Sequence, residues 1–201
     1  MGTFLGPAPT ITPDEITEEM LSAYQCIYIE GYLLVNEELV RTTMQKAKKL
    51  GLKVALDLSN FNIVNAFKGM LEDIIPKYVD ILFSNESEAE AFTGQKAAEA
   101  VHTLSELVEV SLVTLGKEGA LIGSHGQFYS VPAEGGKPVD TTGAGDNFAA
   151  GFLYGQSIGA SLVQSARIGS MLAGYVIDVV GPEIPYDKWE QIKLKVKGIL
   201  A

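Results

Sequence analysis

Cysteine occurs once in this chain, at Cys26, so no disulfide framework can staple the fold. Cys26 sits in the run Cys26-Ile27-Tyr28-Ile29, where it reads as a small buried hydrophobe. Histidine is nearly as scarce. His102 and His125 lie far apart, and neither has metal-ligand spacing to Cys26. No run approaches the ~20 apolar residues that a membrane-spanning helix needs. The opening residues do not read as a signal peptide, so the reducing cytoplasm is the expected compartment. Positive charge is also in deficit: 15 Lys and Arg stand against 25 Asp and Glu, a net charge of −10. Nucleic acid and anionic membrane both require a basic footprint, so neither is an expected partner. No G-x-G-x-x-G follows an early strand, which argues against a Rossmann-type dinucleotide enzyme. Repeats and low-complexity linkers are absent as well.

What is present is an ordinary apolar fraction of 47% in 201 residues, enough for one domain with a buried core. Thr12-Pro13-Asp14-Glu15 predicts a helix start, running to about Ala23. Gln25 to Glu30 reads as a buried strand. Asn36 caps a helix to Leu50, with Lys46, Lys48 and Lys49 in its last turns and Gly51 as its stop. Leu52 to Leu58 is the next strand. Phe61 to Ile75 is helical in part, with Pro76 ending it. Val79 to Phe83 is a strand, Glu86 to Phe92 and Gln95 to Ser105 are helices, and Val110 to Leu115 is a strand. Strands alternating with helices of this length predict an α/β fold with a parallel sheet covered on both faces. His125-Gly126 between two short apolar runs reads as a hairpin, at 120–124 and 127–131. After Asp140 the pattern is helical: Gly143 to Ile158, Ser161 to about Val179, and Tyr186 to Leu200.

One stretch carries more chemistry than the rest. Asp140-Thr141-Thr142-Gly143-Ala144-Gly145-Asp146-Asn147-Phe148 places two carboxylates, two threonines and a Gly-Ala-Gly turn ahead of a helix rich in small residues. A glycine-rich turn at a helix N-terminus is a ready anion site, because its N–H groups point outward and the dipole favours negative charge. A carboxylate beside an anion site is unusual, and phosphoryl transfer calls for that combination. It needs donors for the charge on the transferred group and an acid or base near the attacking hydroxyl. Two further elements precede it. Asn85-Glu86-Ser87-Glu88 follows an apolar run, and Val113-Thr114-Leu115-Gly116-Lys117-Glu118-Gly119-Ala120 ends a strand in a glycine turn, where open α/β sheets bind ligands.

In order and wording, the three elements resemble those of the ribokinase-like (PfkB) family of sugar and nucleoside kinases: D-T-T-G-A-G-D, N-x-x-E and T-x-G-x-x-G. The resemblance runs from about Phe4 to the C-terminus. It implies a three-layer α/β/α ribokinase-like fold with a mostly parallel sheet, as a single domain over residues 1–201. Members of the family are usually longer. On that basis the chain is expected to be the C-terminal two-thirds of a kinase, with the N-terminal strands and most of the lid absent. Thr3-Phe4-Leu5-Gly6 resembles the last lid strand, so residues 1–10 are expected to be a remnant of the lid.

The resemblance also implies roles. Asp146 would be the catalytic base; the plain structural alternative is an acid that complements the helix dipole. Gly143, Ala144 and Gly145 would present N–H groups to the transferred phosphoryl; the alternative is a tight turn. Thr114, Gly116 and Gly119 would contact ATP, with Lys117 more simply a solvated turn lysine, and the helix beginning near Ser161 would belong to the same nucleotide site. Asn85 and Glu88, at i and i+3, lie on one side of a helical turn and would serve ATP-bound magnesium. The same spacing also suits an N-cap with its N3 partner. Asp140 and Thr142 would help hold a monovalent cation such as K+, completed by Val179-Val180-Gly181-Pro182; the alternative for Asp140 is a strand-end cap. Asp57, followed by Asn60 and Asn62, reads first as a strand-end turn on the ligand side of the sheet. The implied reaction is transfer of the γ-phosphoryl group of ATP to a hydroxymethyl group of a sugar or nucleoside, and the wording of 79–88 leans slightly towards adenosine kinases. The rival is a fragment that binds nucleotide and catalyses nothing. A bared sheet edge invites pairing, so a homo-oligomer is one expected way to cover it.

Overall fold

The computed structural model describes residues 6–135 and 137–201. Of the lid strand expected at Thr3-Phe4-Leu5-Gly6, residues 3–5 lie outside them. Six strands form one sheet in the order β1 (Cys26–Glu30), β2 (Lys53–Asp57), β3 (Ile81–Asn85), β4 (Val110–Thr114), β5 (Ala120–Ser124) and β6 (Gln127–Val131). β1 pairs with β2 and β2 with β3 in parallel, with Cys26 opposite Lys53 and Ala55 opposite Ile81. β5 and β6 are joined by His125 and Gly126, both left-handed at φ 47° and 73°. A two-residue connection of that geometry makes an antiparallel hairpin whose twist matches its strands. The chain divides into two compact units. One runs to Val113 and includes Gly123–Gln127; the other holds Thr114–Ile122 and Phe128–Ala201. Among the described residues no helix is long and apolar enough to cross a membrane.

In the first unit the helices are α1 (Glu18–Ser22), α2 (Glu37–Lys49), α3 (Phe61–Ala66), α4 (Lys68–Tyr78), α5 (Glu86–Thr93) and α6 (Ala97–Ser105). α2 forms as its signals predict. The Asn36 side chain accepts from the Leu39 N–H at 3.1 Å, and Gly51 follows the last turn at φ 77°. Its Leu39, Val40, Met44 and Ala47 are buried. β2 contributes Val54, Ala55 and Leu56, all fully buried, which is why its sequence is a continuous apolar run rather than an alternating one.

Two local expectations fail for physical reasons. Thr12 does not start a helix. Its N–H and hydroxyl both donate to the Glu15 carboxylate, at 2.7 and 2.9 Å, and close a turn. The carbonyls of Pro13 and Ile16 are taken by the Lys46 ammonium, so α1 begins only at Glu18, capped by Thr17. Pro76 does not end its helix either; it lies inside α4, which continues to Tyr78. Proline so near a C-terminus removes only one N–H, and Ile74 and Ile75, fully buried just before it, hold the turn in place.

The second unit is built around α7 (Ala144–Ser157), α8 (Leu162–Val176) and α9 (Trp189–Leu200). Ser161 and Gln164 form a reciprocal capping box at the head of α8. α8 and α9 share an apolar cluster of Ile168, Met171, Leu172, Val176, Ile184, Ile192 and Ile199. α7 and α8 meet through small residues. A Cβ on Gly151 would lie 2.7 Å from the Gly169 Cα, and one on Gly169 would lie 2.5 Å from the Phe148 carbonyl oxygen. These backbones touch where no side chain fits.

Gly169→Ala should therefore destabilise the protein by about 1–3 kcal/mol, the usual cost of overpacking. Gly198→Ala, in α9 with nothing near its Cβ position, should instead stabilise by up to about 1 kcal/mol through helix propensity. Urea unfolding of the two variants checks the pair; a neutral Gly169→Ala would overturn the close-contact account.

Candidate active site

The strand-end turn after β4 is shaped by its glycines. Gly116 and Gly119 have φ of 54° and 102°, and the Leu115 N–H donates to the Gly119 carbonyl at 2.8 Å. A Cβ at Gly119 would fall 1.9 Å from the Val131 carbonyl oxygen, so only glycine fits. This turn lines a cavity of about 490 Å³, a volume suited to a small-molecule ligand. Thr114, Gly116, Lys117 and Gly119 form one wall; Thr141, Ala144, Gly145 and Phe148 form another. Two motifs separated by about two dozen residues thus converge on one space.

Of the remaining walls, the helix beginning near Ser161 is expected at the nucleotide site, while its lining residues and the loop opposite escaped the sequence reading. α8 contributes Ser170, Ala173 and Gly174, Ile177 follows at its C-cap, and the loop before the Asp140 turn contributes Ala133, Glu134, Gly135 and Pro138. The signal available was a stripe of small residues at i, i+3 and i+4 along α8, which reads equally well as helix packing. Ser170 seats the loop: its hydroxyl donates to the Pro132 carbonyl at 2.8 Å and accepts from the Glu134 N–H at 2.9 Å. A Cβ on Gly174 would lie 1.8 Å from the Glu134 carbonyl oxygen, so the loop lies flat on the helix there.

The Gly-Ala-Gly turn opens α7. Gly143 is its N-cap, left-handed at φ 78°. The Ala144 N–H donates to the Thr141 carbonyl at 3.2 Å, closing the turn on itself. That amide is engaged, and the next amides, of Gly145 and Asp146, lie in the first turn of the helix, where amides have no intrahelical partner. Asp146 stands exposed in the first turn. Asp140 lies at the turn's other end. Its carboxylate accepts from the Gly181 N–H at 2.9 Å, from the Thr142 N–H at 2.9 Å and from the Thr142 hydroxyl at 2.7 Å. Those donors, Gly181 first, hold its carboxyl below the usual range, so it is ionised. Asp140, Thr142 and the 179–182 loop are thus brought together. An ionised carboxylate with lone pairs beyond these three bonds is a fitting ligand for a cation.

Asn85 and Glu88 belong to the first unit and form a complete capping box at the head of α5. The Asn85 side chain accepts from the Glu88 N–H at 3.0 Å. Glu88 accepts from the Asn85 N–H at 2.8 Å and from the Asn85 carboxamide at 2.7 Å. Glu88 is only 4% exposed. Burial pushes its carboxyl up to about 7, against the lowering effect of the Asn85 N–H and with help from Asp57. Among the described residues, no three His, Cys, Asp or Glu side chains gather as a metal site. A magnesium ion here would rely on phosphate and water oxygens, with Glu88 free to ionise towards it. Asp57 closes a strand-end turn: it accepts from the Ser59 N–H at 2.6 Å and the Tyr28 hydroxyl at 3.1 Å. Cys26 is half-buried, and burial raises its thiol pKa.

The family model for pfkB family carbohydrate kinases matches residues 3–189, and this chain belongs to that family. Its α/β fold is ribokinase-like. The chain is 33% identical over 203 residues to an adenosine kinase of Saccharomyces cerevisiae, covering 92% of this chain and 59% of that one. The crystal structure of a probable sugar kinase from Rhizobium etli superposes with a TM-score of 0.88 at 30% identity, over 95% of this chain and 59% of that one. An adenosine kinase from Sinorhizobium meliloti gives 0.87 at 28% identity, over 93% and 59%. The chain therefore spans about three-fifths of the length of these relatives.

Glu88 provides a pH test. Its folded pKa of about 7 lies above the ordinary 4.5, so its contribution to stability is full below pH 4.5 and is lost as pH rises through 7. Relative to wild type, Glu88→Gln should gain stability between pH 5 and pH 8, by up to about 3 kcal/mol. Thermal melts of both proteins at the two pH values read the difference; a difference that stays flat would mean that Glu88 does not titrate as a buried acid.

Proposed function

We propose that this chain carries the nucleotide site and the catalytic base of an ATP-dependent kinase acting on a hydroxymethyl group of a sugar or nucleoside. The observation that supports it most is the shared cavity, where the Thr114–Gly119 turn meets Ala144 and Gly145, one residue before Asp146. In this reading ATP lies along the cavity with its phosphates towards the head of α7. Asp146 takes the proton from the acceptor hydroxyl as its oxygen bonds to the γ-phosphorus and the bond to the β-phosphate oxygen breaks. The amides that open α7, with the dipole behind them, receive the charge that spreads over the transferred group. Asn85 and Glu88 would support magnesium. Asp140 and Thr142 would hold a monovalent cation that stiffens the turn and strengthens its field.

Membership in a family of carbohydrate kinases and likeness to two adenosine kinases support a sugar or nucleoside acceptor. The likeness to adenosine kinases, in sequence and in structure, favours a nucleoside. A second reading, nucleotide binding without transfer, rests on the chain covering 59% of those relatives' length.

Calorimetry with ATP and magnesium, paired with an ADP-coupled assay over a panel of nucleosides and sugars, tests both. Binding with acceptor-dependent ADP release is expected. Asp146→Asn should then lower turnover by about 100- to 10,000-fold, with ATP affinity held within a few-fold. Failure to bind ATP would sink the proposal, and binding without ADP would select the second reading.

A further inference from the structure

The turn that carries Asp146 is fastened at both ends to the same loop. At the front, Asp140 accepts from the Gly181 N–H at 2.9 Å. Behind, the Asn147 carboxamide donates to the Gly143 carbonyl at 2.9 Å and, over a longer 3.4 Å, to the Pro182 carbonyl. Between the two, Pro182 presses on Gly143: a Cβ there would lie 2.8 Å from the Pro182 Cβ. The Gly143 carbonyl also accepts from the Asn147 backbone N–H at 2.9 Å. One side chain thus joins the N-cap peptide of α7 to Pro182, and it belongs to the residue directly after Asp146.

We infer that Asn147 is a positioning residue: its carboxamide clasps the N-cap peptide of α7 to the 181–182 loop and so fixes the direction of the amides and of Asp146 at the head of the helix. The reason is geometric. Rotation of the Gly143 peptide would re-aim every N–H that follows it, and glycine at φ 78° resists such rotation less than any other residue. The carbonyl of that peptide is its handle, and Asn147 grips it twice. Two donor hydrogens on one planar carboxamide let it reach two carbonyls together. An aspartate of the same shape has no donor and would face both carbonyl oxygens with a charge. The catalytic consequence rests on the kinase reading above; the clasp itself does not.

Hydrogen–deuterium exchange on the full chain tests the clasp without reference to activity. Asn147→Ala and Asn147→Asp should each speed exchange in segments 140–147 and 179–183 by about 5- to 10-fold, the equilibrium worth of a lost hydrogen bond. The amides of β1 to β3 should keep their wild-type rates. Asn147→Gln, which keeps the donor, should restore most of the protection. Where wild type turns over, Asn147→Asp should lower kcat while KM for ATP stays within about 3-fold, as expected for lost orientation rather than lost binding. Wild-type exchange in Asn147→Asp would overturn the clasp, as would equal loss in the Gln and Asp variants. If Asn147→Ala fails to fold, Asn147→Ser carries the same exchange measurement. If wild type releases no ADP with any acceptor, the kinase reading fails and the exchange arm alone judges Asn147.

Discussion

The approach of α7 to α8 is the constraint on which the second unit depends. Gly151 and Gly169 meet backbone to backbone, and Gly155 leaves room for Ser165, whose hydroxyl would lie 2.5 Å from a Cβ at that position. The contact does two things together. It fixes where α7 begins, and so where Gly145 and Asp146 stand. It also leaves Ser170, Ala173 and Gly174 on α8 to line the cavity into which Ala144 and Gly145 open. A larger residue at the crossing would move the head of one helix relative to the wall of the other. Interiors this dense transmit such displacements rather than absorb them.

Small residues serve a different end at the cavity wall. Gly174 lets the 132–135 loop lie on α8, and Ser170 holds it there with one donated and one accepted bond. The cavity is bounded by backbone and by apolar or small side chains, with Lys117 and Glu134 among its few charges. Such a wall suits a ligand recognised by shape and by backbone donors. It also explains how a protein of net charge −10 can be proposed to bind a polyphosphate, since helix-end amides act locally while exposed charges are screened over about 10 Å.

The acidic residues divide by environment. Asp140, with three donors around it, is held ionised; Glu88, buried inside a capping box, is held towards its neutral form. The capping and metal-support readings of Asn85 and Glu88 are not rivals in this geometry. The box orients the carboxyl, and the burial that raises its pKa is what an approaching cation would counter.

Much of this was legible in the residues themselves. Strand and helix order, the cap at Asn36, the His125-Gly126 hairpin and the three motif elements are local, and local chemistry determined them: turn residues, capping side chains and apolar runs act over a few positions. What failed at Thr12 and Pro76 failed for tertiary reasons: the distant Lys46 ammonium holds the turn in one case, and the burial of the neighbouring Ile74 and Ile75 holds the helix in the other. Only the tertiary structure decided that Thr114–Gly119 and Ala144–Gly145 share a cavity, which residues of α8 line it, and that Asn147 reaches Pro182. Those facts depend on which surfaces pack together. A stripe of serine, alanine and glycine looks the same along the chain whether it faces a helix, a loop or a ligand, and the packing partner alone settles which.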